Sequence, residues 1–381
     1  MIYLDNAATS FPKPHSVWTE QLRCMRFYAG NAGRGSHRMA LAAAEKIYEC
    51  RERIAHLFGT EHPERITFCM NATMALNYVI KGCLQKGDHV LLSDMEHNAV
   101  YRPIARLAAD GVITFDVFPT FVTDPSRSDA HILAAIGHLI RPNTKMLITS
   151  HVPNLTSASM PLEKIGALCR RRGILFVVDA AQSAGHLPIH LKNMKIDALC
   201  APGHKGLLGP QGCGFAVWGE GILTPETLLE GGSGYQSLEA AMPLDFPERF
   251  EAGTLPLPAI AGLCEGIREI TERGYEQSVA QEKLLFDRLC EHLMENPRVK
   301  IYTPQCKGSI LLFSVDGIPS DEIGRRLDQR GICVRTGFHC AALGHKTLGT
   351  PSDGAVRVST GIYNTFSEID FFANALRDIL Q

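Results

Sequence analysis

The sequence predicts an α/β protein whose mostly parallel sheet is covered by helices on both faces. From about residue 60 onward, short apolar segments alternate with amphipathic helical patterns. These segments are continuously apolar, which is typical of strands buried on both sides. Repeated β–α units of this kind favour a parallel sheet. A smaller α/β pattern follows near the C-terminus, so we expect two domains.

The predicted elements follow one another in a regular order. In the large unit we expect strands at 66–68, 90–92, 112–118, 146–148, 174–178 and 196–200, an apolar segment at 215–218, and helices at 73–84, 98–109, 131–140 and 162–172. One helix or a helix pair at 259–294 leads to strands at 309–315, 332–334 and 356–358 and helices at 320–330 and 367–380. The large domain is placed at 15–258, and the small domain at 1–14 together with 259–381.

The N-terminal segment contains two features that do not belong to this alternation. Residues 1–15 are extended and interrupted by proline, and we expect them to dock on a later part of the chain. Residues 30–37 form a glycine-rich loop, and its Ser36 is expected to cap the helix that follows the loop. Arg34 and His37 in this loop are available for anions, although a plain linker would have the same composition.

Composition limits the classes of function. The 381 residues are 45% apolar and 20% charged with a net charge of −2, which does not suggest capture of nucleic acid or anionic membranes. The 12 cysteines form no C-x-x-C pair, so we expect free buried thiols and no metal site. No basic-then-apolar leader and no membrane-length apolar run is present, and a cytoplasmic location is therefore expected.

A carboxylate and an amine follow two successive strands. Asp179 ends the apolar run 174–178, and Lys205 lies in a glycine-flanked turn after the run 196–200. Each alone is more often a helix cap or a solvated surface residue. Together they suit pyridoxal phosphate (PLP), which is bound through a lysine Schiff base and needs a carboxylate at its pyridinium nitrogen.

Three further strand ends carry polar groups that would suit the same flat, phosphorylated ring. Thr73 and Ala72 open a helix whose N-terminus would favour a phosphate, although simple capping is the commoner role. His97 could lie flat on the ring or be an ordinary loop histidine, and Asn154 follows another strand. The convergence of five strand ends favours one binding site.

The small domain carries the stretch 335–342, in which Cys340 follows His339. Arg335 and the nearby Arg357 give the thiol the electropositive surroundings of a reactive cysteine, although most of the 12 cysteines are expected to be inert. Glycines at 344, 349 and 354 favour a mobile segment after Cys340. Arg357 is either paired internally or kept for a carboxylate.

Seven motifs in order resemble the class V, fold-type I PLP enzymes over nearly the whole chain, and most closely the cysteine desulfurases. The motifs are YLDNAATS, EHNAV, VVDAAQSAGH, GHKGLLGPQG, RFEAGT, RTGFHCA and VRVSTGIYNT. The short RTG-x-HCA form is similar to the group II branch, which includes selenocysteine lyases. The resemblance implies a seven-stranded, mostly parallel sheet in the large domain, a homodimer and conversion of L-cysteine to L-alanine, with a sulfur-acceptor protein as a further partner.

The resemblance also implies a role for each site residue. The catalytic residues would be Lys205, Cys340 and His97. Lys205 would bind PLP and move the Cα proton, and Cys340 would accept the sulfur as a persulfide. For the other positions the family implies cofactor contacts by Asp179 (ring nitrogen), Gln182 (ring oxygen), His97 (ring face), Thr73, Ala72 and His204 (phosphate), Thr254 of the other subunit (phosphate) and Asn154, and substrate contacts by Arg357, Asn154 and Arg335.

Two residues depart from the family pattern. Pro202 stands where a phosphate-binding Ser or Thr is common, and Phe338 stands where a second histidine is common. The first implies a differently completed phosphate site, and the second removes an acid group beside the thiol. A selenocysteine lyase acting on L-selenocysteine, or another class V aminotransferase or lyase, stays open as an alternative.

Overall fold

A computed structural model describes residues 1–33, 35–222 and 224–381, so the anion-binding prediction for Arg34 lies outside the described residues. The strands are β1 (Ile2–Tyr3), β2 (Ile66–Cys69), β3 (His89–Ser93), β4 (Thr114–Phe118), β5 (Thr144–Ser150), β6 (Leu175–Asp179), β7 (Ala198–Pro202), β8 (Gly214–Trp218), β9 (Val299–Tyr302), β10 (Ile310–Val315), β11 (Ile332–Cys333), β12 (Arg335–Gly337) and β13 (Ala355–Ser359). The helices are α1 (His15–Phe27), α2 (Arg38–Phe58), α3 (Ala72–Cys83), α4 (Asn98–Ala109), α5 (Asp129–Leu139), α6 (Leu162–Arg172), α7 (Leu191–Met194), α8 (Leu257–Arg273), α9 (Tyr275–Met294), α10 (Ser320–Asp328), α11 (Ala342–Leu348) and α12 (Phe366–Leu380).

The large sheet has seven strands in the order β2-β8-β7-β6-β5-β3-β4. Strand β8 is antiparallel to both of its neighbours, and all other pairs are parallel. Alternate side chains of β6 enter two separate cores, with Phe176 and Val178 in one and Val177 in the other. Because both faces of the sheet are packed in this way, the strands are continuously apolar. The predicted fold class is confirmed.

Local capping explains where the helices begin. Asn71 Oδ1 accepts from the Met74 amide at 3.0 Å and starts α3. His37, not Ser36, is the cap of α2, because its Nδ1 accepts from the Ala40 amide at 3.3 Å, so that prediction is wrong. Gly274, with φ of 80°, separates α8 from α9, so the segment 259–294 is a helix pair.

The small sheet is antiparallel, in the order β12-β13-β10-β9. Strands β9 and β12 are absent from the predicted elements, and they are only four and three residues long. Near the N-terminus, β1 pairs in parallel with β11, and Leu4 packs in the core of the small sheet. These contacts agree with a small domain formed by both chain ends, while the boundaries at 14/15 and 258/259 stay a prediction.

The segment after Cys340 that the glycines predict to be mobile contains helix α11, at residues 342–348. Its mobility stays a prediction. Within the part of the chain that is described, every helix is too short or too polar to cross a bilayer.

Two glycines in helices provide a matched test of the packing. A Cβ on Gly166 of α6 would lie 1.9 Å from the Met194 carbonyl oxygen, whereas a Cβ on Gly137 of α5 would contact nothing within 4 Å. We expect Gly166→Ala to destabilise the protein by about 1–3 kcal/mol through overpacking. Gly137→Ala should stabilise it by up to about 1 kcal/mol through helix propensity.

Urea unfolding of the two variants beside the wild type measures both changes. Equal stability of Gly166→Ala and Gly137→Ala would show that α6 and α7 are not packed as described.

Candidate active site

One pocket lies at the carboxyl ends of β5, β6 and β7, where ligands bind in open α/β sheets. It is lined by Asn71, Ala72, Thr73, His97, Ala99, Ser150, Val152, Asn154, Asp179, Ala181, Gln182, Pro202, His204 and Lys205. Eight of the predicted site residues are therefore brought together: Ala72, Thr73, His97, Asn154, Asp179, Gln182, His204 and Lys205. Arg335, Cys340, Arg357 and Thr254 line no part of this pocket.

The acid and the amine of the pocket are both buried. Burial raises the pKa of Asp179, against the effect of the Ala181 amide, which donates to Asp179 Oδ1 at 2.9 Å. Burial also lowers the pKa of Lys205 to about 8, with Asp179 opposing the shift and Arg357 and Arg335 adding to it. No hydrogen bond to the Lys205 side chain is formed within the described residues. The amine is therefore uncommitted and readily deprotonated, as a lysine that attacks a carbonyl must be.

His97 is held as a neutral ring over the pocket. Its Nδ1 accepts from the Ala99 amide at 3.0 Å and caps α4, which leaves the proton on Nε2. Burial lowers its pKa to about 4, and the charges of Lys205 and Arg335 add to this effect. A neutral imidazole can lie against an aromatic ligand without introducing a charge.

The N-terminus of α3 offers donors to an anion. The side chain of Asn71 binds the Met74 amide, while the Thr73 hydroxyl has no partner among residues 1–33, 35–222 and 224–381. Pro202 adds no hydroxyl on the facing side. His204 Nδ1 is buried without a partner, and burial lowers the pKa of this ring to about 4. Thr73 and His204 are therefore the side chains available to a phosphate here.

The polar groups of the pocket fit PLP. The pocket is lined by a helix N-terminus, a buried carboxylate and an uncommitted lysine. It also contains two buried atoms without a partner, His204 Nδ1 and Asn154 Oδ1. These groups match a phosphate, a protonated ring nitrogen, an aldehyde carbon and polar ring substituents. Gln182 Nε2 donates to the Ala7 carbonyl at 3.0 Å and keeps one N–H for a ring oxygen.

Cys340 lies in a turn that is bonded to the rim of this pocket. The Asn98 amide donates to the Cys340 carbonyl at 2.8 Å, and Asn154 Nδ2 donates to the His339 carbonyl at 2.7 Å. Arg335 Nη2 lies 3.7 Å from the Cys340 sulfur. Of the 12 cysteines, all of which lie in the described ranges, Cys340 is the exposed one. The thiol that the sequence singled out is thus accessible and next to the pocket.

Arg357 is fully buried and paired with Asp5, a residue that sequence reasoning missed. Arg357 Nη2 donates to Asp5 Oδ1 at 2.8 Å and Nη1 donates to the Asn154 carbonyl at 3.1 Å, while Nε has no partner. Arg335 lies directly opposite Arg357 across β12 and β13, so two guanidinium groups share one face. Asp5 belongs to the YLDNAATS motif and could have been suspected as the only acid of that segment.

The N-terminal segment wraps the turn that carries Lys205. The His204 carbonyl accepts from the Ser10 amide at 3.0 Å, from Thr9 Oγ1 at 3.0 Å and from Lys13 Nζ at 2.7 Å. The expectation that this segment docks downstream is confirmed, and its target is the active-site turn.

Thr254 is exposed and lies in a different cavity, with Gly30, Asn31 and Gly33. Its hydroxyl accepts from Asn31 Nδ2 at 3.4 Å. Thr254 does not line the pocket of its own chain.

Comparison with known proteins identifies the family. The family described as aminotransferase class-V matches residues 2–372. The chain belongs to this family. Its members are PLP-dependent, so the predicted cofactor is confirmed at the level of the family.

The individual relatives are named cysteine desulfurases or probable cysteine desulfurases. A probable cysteine desulfurase of Methanothermobacter thermautotrophicus is 32% identical over 99% of this chain and 94% of the relative. One of Mycolicibacterium paratuberculosis is 33% identical over 100% of this chain, which spans only 56% of that longer relative. An apo cysteine desulfurase structure from Thermococcus onnurineus is 30% identical, with a TM-score of 0.89, and covers 99% of this chain and 94% of that chain.

The names of these relatives confirm the predicted activity, that of a cysteine desulfurase. They are called cysteine desulfurases, and the alternatives of a selenocysteine lyase or another class V activity are less supported. The individual roles of the site residues stay a proposal.

Glu96 is a second residue that the sequence reasoning missed, hidden beside His97 in the EHNAV motif. It is fully buried at the ends of β3 and β5, where it binds the Ser93 hydroxyl and accepts from the Ser150 amide at 2.8 Å. Burial raises its pKa to about 8, the hydrogen bonds from Ser93 and Ser150 oppose this shift, and Asp179 adds to it. Glu96 therefore holds a proton at neutral pH and supports the loop of His97.

This raised pKa gives a pH-dependent stability. The folded protein keeps a proton on Glu96 that the unfolded chain releases near its ordinary pKa, so the stabilisation is present at low pH and is lost as the pH rises toward 8. Glu96→Gln, which mimics the protonated acid, should lose less stability between pH 5 and pH 8 than the wild type does.

Urea unfolding midpoints at the two pH values measure this difference. Glu61→Gln is the control at an exposed position and should follow the wild type. An identical pH dependence in Glu96→Gln and the wild type would contradict the assignment.

Proposed function

We propose that this protein is a PLP-dependent cysteine desulfurase that converts L-cysteine to L-alanine and transfers the sulfur to Cys340. One observation carries the proposal: the Cys340 turn is hydrogen-bonded to Asn98 and Asn154, beside the pocket that Lys205 and Asp179 share. An ordinary aminotransferase has no need of an exposed thiol in this position.

Bound PLP would supply an electron sink for the substrate Cα. Lys205 would hold the cofactor covalently, Asp179 would keep a proton on the ring nitrogen, and the His97 ring would lie on its face. The α3 N-terminus, with Ala72 and Thr73, and His204 would hold the phosphate. The amine of Lys205, with its pKa near 8, is suited to take the Cα proton at neutral pH.

The sulfur step uses groups of the chain itself. The sulfur of Cys340, which lies 3.7 Å from Arg335 Nη2, would attack the sulfur of the substrate cysteine. An S–S bond forms on Cys340 and the Cβ–S bond breaks. The electron pair of that bond stays with the carbon skeleton, which is protonated and leaves as alanine. Arg357 would bind the substrate carboxylate, which would take over from Asp5 as its partner.

Product analysis with L-cysteine tests this proposal. We expect alanine, and sulfide when a reductant is present, from the PLP-loaded wild type. Lys205→Ala should lose the yellow colour that borohydride bleaches and should lose alanine formation. Cys340→Ser should keep the colour and lose at least about 100-fold in alanine formation, since its nucleophile is gone.

Two outcomes would overturn the assignment. Unchanged alanine formation by Cys340→Ser would favour another lyase of the family, and L-selenocysteine is then the substrate to test. A wild type that binds no PLP would remove the enzymatic proposal altogether.

We also propose that the protein is a homodimer in which Thr254 reaches the phosphate of the other subunit. Thr254 lies outside the active-site pocket of its own chain, and α1 exposes large apolar side chains at Trp18, Leu22 and Phe27 that a second subunit could cover.

We further propose that the enzyme is cytoplasmic and that a sulfur-acceptor protein takes the persulfide sulfur from the exposed Cys340.

Subunit mixing tests the contact of Thr254. If Thr254 reaches the other subunit, a mixed dimer of Lys205→Ala and Thr254→Ala subunits has one site with both changes and one with neither; otherwise each site carries one change. If Thr254 acts across the interface, mixing should restore activity with the PLP affinity of the wild type. If Thr254 acts within its own chain, the restored sites would keep the weak PLP affinity of Thr254→Ala.

A further inference from the structure

The turn that carries Cys340 has an unfavourable backbone. His339 and Cys340 have φ of 51° and 56°, in the left-handed region. Two consecutive residues with side chains in this region cost about 1–2 kcal/mol each, so the turn persists only where neighbours fix it. The bonds from Asn98 and Asn154 to its two carbonyl groups fix one side of the turn.

A row of hydrogen bonds fixes the other side. His339 is buried, its Nε2 lies 3.3 Å from the Arg335 carbonyl oxygen, and its Nδ1 lies 3.1 Å from Nε2 of the buried His345. His345 Nδ1 in turn lies 2.8 Å from the hydroxyl of Thr350. The row thus runs from Thr350 through the two rings to the strand β12 that precedes the thiol.

One set of hydrogen-bond directions satisfies every contact in this row. A carbonyl oxygen can only accept, so His339 Nε2 carries a proton. Burial lowers the pKa of His339 to about 3, with Arg357 and His345 adding to this and the Arg335 carbonyl opposing it, so the ring is neutral and its Nδ1 accepts. Burial lowers the pKa of His345 to about 4, with the Phe338 carbonyl opposing the shift. His345 therefore donates from Nε2 and accepts the Thr350 proton at Nδ1.

We propose that His345, oriented by Thr350, is a positioning residue that holds Cys340 in its left-handed turn, with the thiol at Arg335. The importance of that position rests on the proposed sulfur transfer. Both nitrogens of His339 are committed to this row, so the histidine next to the thiol acts as a support and not as the base for Cys340. The hydroxyl of Thr350 selects the tautomer that makes this support possible.

The chain offers matched substitutions to test this role. Thr350→Val removes the hydroxyl with little change of shape, and Thr350→Ser keeps it. Thr347→Val is the control, because Thr347 lies on α11 but binds the Asp94 carbonyl instead, at 3.3 Å. In the PLP-loaded enzyme, Thr350→Val should lower kcat for alanine formation about tenfold, the effect of removing one hydrogen bond, with KM for L-cysteine nearly unchanged. Thr350→Ser and Thr347→Val should retain at least about half of the wild-type kcat, because the row is intact in both.

Two readouts do not depend on the reaction. In Thr350→Val the sulfur is no longer held at Arg335, so alkylation of Cys340 by iodoacetamide at neutral pH, followed by mass spectrometry, should slow severalfold. In the wild type, ¹⁵N spectra of labelled histidines should show His339 and His345 as neutral rings with protonated Nε2, assigned with the variant His345→Gln.

The outcomes separate this inference from the proposed function. If L-cysteine is not a substrate, the alkylation rates and the ring tautomers still decide whether the row exists. A protonated Nδ1 on either ring, or alkylation and kcat in Thr350→Val equal to those of Thr347→Val, would overturn the inference.

Discussion

The pairing of Arg357 with Asp5 is the constraint on which the site depends. A guanidinium without exposure to solvent requires a partner, and removal of one member of a buried pair typically costs about 3–5 kcal/mol. Because Asp5 lies near the N-terminus and Arg357 on β13, the pair joins both ends of the chain. The segment that follows Asp5 then reaches Gln182 and the His204 carbonyl. The ion pair thus lies where the N-terminal segment connects the small sheet to the pocket.

Burial acts in opposite directions on the two groups that face each other in the pocket. It raises the pKa of Asp179 and lowers that of Lys205, because both charges are disfavoured in a medium of low polarity. Among the described residues, neither group is hydrogen-bonded to another side chain, so each is free to respond to a ligand. A ring with a protonated nitrogen would pair with Asp179, and its electrophilic carbon would bond to Lys205. The electrostatics of the pocket therefore match the coenzyme of the family.

Much of the site could be predicted from sequence because strand ends are local signals. Asp179, Asn154 and Lys205 each follow an apolar run, and parallel strands bring such ends to one edge. The pairing of Asp5 could not be predicted, since it depends on a contact across 352 positions. The role of His345 was equally hidden, because it arises from the fold of α11 against the preceding turn.

The cap of α2 shows the same limit on a smaller scale. Hydroxyls are commoner caps than imidazoles, which favours Ser36 when only the sequence is considered. The choice between neighbouring residues depends on the backbone angles of the loop, and in the folded chain the His37 ring accepts the bond. Short-range patterns thus locate the start of a helix to within a residue, while the conformation of the folded loop determines which side chain caps the helix.

The alignment of Arg335 with Arg357 across two neighbouring strands has a consequence for the handling of the protein. Like charges directly opposite each other in a sheet repel, and within the described residues the carboxylate bonded to this pair is that of Asp5, which binds Arg357. Any small oxyanion that enters would relieve the repulsion and stabilise the fold by mass action. Sulfate and phosphate buffers should therefore raise the melting temperature and act as competitors of amino acids, while a buffer of large, weakly coordinating anions should leave the corner open.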